Sequence, residues 1–92
     1  MEKLKSYLIS YDLIGPNRDY DSVTEKIKSY GTWARPLESV WIIKSDDSAT
    51  TIRDNVFSVM DSNDKLIVTG LTGEAAWQNL SPKLSEWLKE NL

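Results

Sequence analysis

Two segments of this chain are apolar on both sides. In Ser39-Val40-Trp41-Ile42-Ile43-Lys44, Trp41 and Ile43 alternate to one face of a strand, and Val40 and Ile42 to the other. In Lys65-Leu66-Ile67-Val68-Thr69-Gly70-Leu71, Leu66 and Val68 oppose Ile67 and Leu71. A strand with two apolar faces is expected where both faces of its sheet are covered. The sequence is therefore expected to build a sheet with helices on one face and something further on the other: a closing helix, a second subunit, or both.

The rest of the chain supplies the helices. Tyr7 to Leu13 reads as a first strand, rich in aromatic and branched residues and stopped by Gly15-Pro16-Asn17. Tyr20, Val23, Ile27 and Tyr30 recur at helical spacing, with Asp19 or Asp21 as the cap and Gly31 as the close. Thr32 to Ala34 predicts a short second strand that ends at Pro36 or lies at an edge, because proline cannot donate to a ladder. After the third strand, Ser39–Lys44, Ser48 is expected to cap a second helix. Its face carries Ile52, Val56, Val59 and Met60, and it ends at Asp61-Ser62-Asn63. The fourth strand follows at Lys65–Leu71. Ser81-Pro82 then opens a closing helix faced by Leu84, Trp87, Leu88 and Asn91, with Trp77 in the connection before it.

The order is β-α-β-β-α-β plus a C-terminal helix, the split βαβ arrangement of an α+β, ferredoxin-like fold. Residues 1–92 are expected to form a single domain with no internal repeat or linker. The sequence holds no cysteine and no histidine. That excludes zinc sites of the usual Cys/His types and Ser-His or Cys-His nucleophilic machinery within one chain. The missing cysteines fit a reducing compartment, and with no secretory signal and no apolar run near 20 residues the expectation is a cytoplasmic protein with no membrane span. The net charge of −3 weighs against a general nucleic-acid binder, which usually carries a basic face.

Asp12, at the C-terminal end of the first strand, is the leading candidate for chemistry. A carboxylate there can hold a hard divalent cation such as Mg²⁺, which prefers oxygen ligands. The competing reading is a cap on the loop or the following helix. Arg18, Arg35, Arg53, Lys26 and Lys28 make either a modest basic patch or scattered surface charge. Trp33 and Trp41 are either stacking platforms or core, and Asp46-Asp47 is either a second carboxylate site or a solvated turn. Gly70-Leu71-Thr72-Gly73 lacks the lysine and spacing of a phosphate loop.

Tyr11-Asp12-Leu13, a helix opening near Arg18, Ser39-Val40-Trp41 and Asp64-Lys65-Leu66-Ile67-Val68 stand in an order and spacing that resemble the CRISPR-associated Cas-two family over residues 5 to 71. The sequence departs from that family's pattern at Leu37, where a glutamine is common, at Trp41 in place of phenylalanine, and in a helical rather than strand-like tail. The resemblance implies a ferredoxin-like homodimer with the strand-one aspartates facing each other near its axis. Members are Mg²⁺-dependent endonucleases or structural partners of the spacer integrase, and the wider group includes the virulence-associated protein D ribonucleases. Carried over by position, Asp12 would be the metal-binding and catalytic aspartate, Ser39 the strand-three serine near it, and Arg18 a loop arginine near the substrate phosphate. Two function classes follow. One is a nuclease cleaving RNA or DNA, in which two Asp12 carboxylates hold a Mg²⁺ that polarises a phosphodiester and activates water. The other is a non-catalytic dimeric adaptor that binds another protein.

Overall fold

The computed structural model describes residues 4–92 of the chain. Side-chain alternation sets the first strand, β1 (Lys5–Asp12): Tyr7, Ile9 and Tyr11 are buried, while Ser6, Leu8 and Ser10 are half-buried on the opposite face. Helix α1 (Tyr20–Lys28) is capped by Asp19, whose carboxylate accepts from the Ser22 amide. Asp21 in its first turn and Lys26 and Lys28 in its last complement the helix dipole. Past its end Gly31 takes φ +89°, a conformation that favours glycine. Strand β2 is Trp33–Leu37 and β3 is Val40–Ser45. Ser48 caps α2 (Ala49–Phe57), β4 follows at Lys65–Gly70, and Ser81 caps α3 (Pro82–Asn91), with Pro82 in the first turn, where its missing N–H costs no bond.

The four strands form one antiparallel sheet in the order β2-β3-β1-β4. This small α+β architecture is compatible with a ferredoxin-like fold. On one face Tyr7, Ile9, Tyr11, Trp41 and Ile43 pack against Val23 and Ile27 of α1 and Ile52 and Val56 of α2. Trp41 is 1% exposed, so it is core rather than a stacking platform, and its indole N–H donates to the Tyr11 hydroxyl at 3.2 Å.

The second face is read from the pairing register. One row across the sheet is Ala34–Ile42–Leu8–Thr69, and the next is Leu37–Val40–Ser10–Ile67. Helix α3 lies over the first row: Leu88 is 2% exposed, Ala34 and Ile42 are buried, and the Ser6 hydroxyl donates to the Asn91 carbonyl at 2.7 Å. The second row stays open at both ends, where Leu37 is 60% and Ile67 58% exposed. Within this chain the two-sided apolar pattern is therefore only half satisfied. Among the described residues, no helix is long and apolar enough to cross a membrane.

Several boundaries differ from the sequence reading. β2 runs on through Pro36 to Leu37, because it is an edge strand and a register shift between Ala34 and Leu37 absorbs the missing donor. β3 begins at Val40, so Ser39 belongs to the preceding turn. α2 ends at Phe57, and Val59 and Met60 reach the core from the turn beyond it.

Candidate functional site

The candidate residues gather at one end of the sheet, where β1 and β2 finish and β3 and β4 begin. Asp12 is the last residue of β1 and lies exposed on the second face. Its cross-strand partner is Lys65, and together with Ser10 and Ile67 the two border a shallow concavity. Among the described residues the Asp12 carboxylate has no hydrogen-bond partner, and the only ion pair is Arg53–Asp54. Asp12 therefore caps neither the loop nor α1.

Asp64 caps the loop instead. It is a buried carboxylate just before β4; one oxygen accepts from the Ile14 amide at 2.7 Å and the Gly15 amide at 3.0 Å, and the other from the Asp61 amide at 2.7 Å. Asp61 adds a second clasp, accepting from the Asn17 amide at 2.9 Å and its side-chain N–H at 2.7 Å. The Asn17 side chain is the main reason the Asp61 carboxyl sits below its ordinary value. Gly15 lies so close to the second loop that a Cβ there would meet the Asn63 amide at 3.0 Å. The β1–α1 loop is thus pinned to the α2–β4 loop across about fifty residues of chain. Sequence reasoning missed this role, because Asp64 is local to its own turn and its partners are far away in the sequence. The only available signal was an aspartate directly before a strand.

Arg18 sits in that pinned loop with φ +46°, and its Nε donates to the Ile14 carbonyl at 3.0 Å. One N–H of its guanidinium thus shapes its own loop, and the residue borders a concavity with Asn17, Asp19, Tyr20 and Asp21. Ser39 is exposed in the β2–β3 turn and borders a different concavity, on the α1 side, with Tyr11, Tyr20, Asp21, Thr24, Arg35 and Glu38. Asp12, Ser39 and Arg18 share one end of the molecule but not one cavity.

The basic residues are likewise scattered. Arg35 lies over the Trp41 ring at 5.2 Å and donates to the Glu38 carbonyl, Lys28 lies over Trp33 at 4.9 Å, and Arg53 pairs with Asp54. Around the candidate residues Asp12, Asp19, Asp21 and Glu38 outnumber Arg18, Arg35 and Lys65. The Asp46-Asp47 turn holds structure through its backbone, where the Asp47 carbonyl accepts from the Tyr7 hydroxyl at 2.8 Å.

Asp12 brings one carboxylate per subunit, with Lys65 as its cross-strand partner, and among the described residues no three acidic side chains come together as a metal-holding set. No family model matches the chain, and no solved structure matches it.

Proposed function

We propose that this chain is a ferredoxin-like, Cas-two-like cytoplasmic subunit that works as a homodimeric, non-catalytic adaptor binding another protein. One observation carries the reading: the neighbour of Asp12 on its own sheet face is Lys65, not a second carboxylate. A cation beside the only candidate ligand lowers the affinity of that end for a divalent metal. At that end of the molecule Asp12, Asp19, Asp21 and Glu38 exceed Arg18, Arg35 and Lys65 by one charge, so it presents no basic face to draw in a phosphodiester chain. Arg18 and Ser39, which a nuclease would aim at the substrate, border other surfaces.

A second reading, a metal-dependent nuclease, is favoured by one feature: Asp12 is exposed on the sheet face that α3 leaves open, where a second copy can approach it. Cleavage of labelled RNA and DNA with Mg²⁺ or Mn²⁺ separates the two, with wild type and Asp12→Asn purified independently. The adaptor predicts no cleavage by either preparation. Cleavage by the wild type that is lost in Asp12→Asn would establish the nuclease and overturn the adaptor. Equal activity in both marks a contaminating enzyme and counts against catalysis at Asp12.

A further inference from the structure

The cleft on the α1 side of the sheet end carries polar groups that the fold leaves unspent. It measures about 450 Å³, within the roughly 300–1,000 Å³ of small-ligand pockets. Tyr11 borders it and is 5% exposed. The Tyr11 hydroxyl accepts from the Trp41 indole N–H, and among the described residues its own proton has no acceptor. A buried hydroxyl that accepts one bond and keeps its proton is ready to donate to a ligand oxygen. Arg35 meets the same indole. Its Nε and one Nη donate to the Glu38 carbonyl, and its guanidinium centre lies 5.2 Å from the Trp41 ring centroid. These contacts fix the plane of the guanidinium and leave its other Nη as a charged donor. Asp21 and Glu38 border the same cleft. Among the described residues neither carboxylate is paired, since the only ion pair is Arg53–Asp54.

We infer that this cleft binds a basic α-amino acid, with the ligand carboxylate on Arg35 and Tyr11 and its two cationic groups on Asp21 and Glu38. Three observations select that chemistry. A guanidinium and a buried hydroxyl, both in contact with Trp41, offer N–H and O–H donors to the oxygens of one carboxylate. Two carboxylates exceed one guanidinium, so the cleft carries one net negative charge, and a ligand with one carboxylate and two cations balances it. The hydroxyls of Thr24 and Ser39 add acceptors for ammonium protons. A simple acid or a phosphate would bring like charge to Asp21 and Glu38, and a diamine would leave Arg35 and Tyr11 unanswered. The inference goes beyond the adaptor reading and stands independently of it, because the cleft lies on the helix side of the sheet rather than on the face where Ile67 is exposed. It gives Ser39 a place in a binding site that Asp12 does not share.

The test is a titration of the isotope-labelled full chain with L-lysine at constant ionic strength, read by backbone amide shifts and by the Trp41 indole N–H. L-alanine, L-glutamate and cadaverine are titrated alongside. L-lysine is expected to give saturable shifts at Thr24, Arg35, Glu38 and Trp41, and to bind at least ~10-fold more tightly than each of the other three. Arg35→Gln is expected to weaken L-lysine at least ~10-fold and to leave cadaverine unchanged. Asp21→Asn combined with Glu38→Gln is expected to erase the advantage of L-lysine over L-alanine. All three substituted residues are exposed, so folding is expected to persist, and circular dichroism checks it. The absence of saturable shifts at millimolar L-lysine, or shifts confined to residues outside the cleft, would overturn the site. Cadaverine binding as tightly as L-lysine would overturn it in favour of a plain acidic surface. L-alanine binding as tightly as L-lysine, or an Arg35→Gln chain that binds L-lysine as well as wild type, would overturn the assigned ligand class.

Discussion

Replacing Asp64 by alanine tests how the β1–α1 loop is held. The carboxylate accepts from three backbone amides, and the bond from Gly15 is buried while those from Ile14 and Asp61 are half-buried. An orphaned buried donor costs about 1–3 kcal/mol, and donors that water can reach cost less. One of the first kind and two of the second give a loss of about 2–4 kcal/mol. In a domain of this size each kcal/mol moves Tm by about 4–8 °C, so Asp64→Ala should melt at least about 8 °C below wild type. Asp64→Asn should fall between the two: its carbonyl can still accept from Ile14 and Gly15, while its NH₂ turns a donor toward the Asp61 amide. Thermal melts followed by circular dichroism give the magnitude, and amide hydrogen exchange at Ile14, Gly15 and Asn17 gives the location. A variant melting within about 3 °C of wild type, with those amides still protected, would refute the idea that Asp64 anchors the loop.

Leu88 is the buried residue of α3 but borders an open apolar cleft of about 320 Å³. Leu88→Ala should therefore cost about 2–3 kcal/mol in urea unfolding, near the low end for a buried leucine, and a chain ended after Gly73 should aggregate. An unchanged urea midpoint would mean that α3 is not docked on the sheet. Asp61 and Asp19 both titrate below their ordinary value of 3.8, Asp61 chiefly through the Asn17 side chain and Asp19 chiefly through the Ser22 hydroxyl. A lowered folded value favours the folded state above 3.8, and that contribution disappears as the pH falls through the lower folded value. Stability measured from neutral pH downward should thus decline below 3.8, and Asp61→Asn should flatten part of that decline. A pH profile identical to wild type would contradict the clasp.

What was legible in the sequence was local. The caps at Asp19, Ser48 and Ser81-Pro82 satisfy amides within three residues, and Val23, Ile27, Ile52 and Val56 declare their faces by spacing alone. Properties that depend on distant partners were not legible. Pro36 leaves two readings open in the sequence, a strand end or an edge strand, and the strand order selects the edge. The apolar pattern asks for cover over Ile67 from a closing helix, a second subunit or both, and only the structure shows that α3 lies over the neighbouring row. Asp12 was found at the strand end where its position puts it, while the charge of its neighbour followed only from the β1–β4 register. Ser39 was expected near Asp12 on a strand, yet it sits in a turn beside α1 residues, because the β2–β3 hairpin turns one residue later than the apolar pattern suggests.

The open row of the sheet is the feature on which the proposed dimer depends. Its occupancy can be measured by an isotope-filtered nuclear Overhauser experiment on an equal mixture of labelled and unlabelled chains. Contacts between the Ile67 methyl groups of one copy and Ser10 or Ile67 protons of the other are the predicted result. Intermolecular contacts that arise elsewhere on the surface, or none from Ile67 at a concentration where the chain is dimeric, would contradict it.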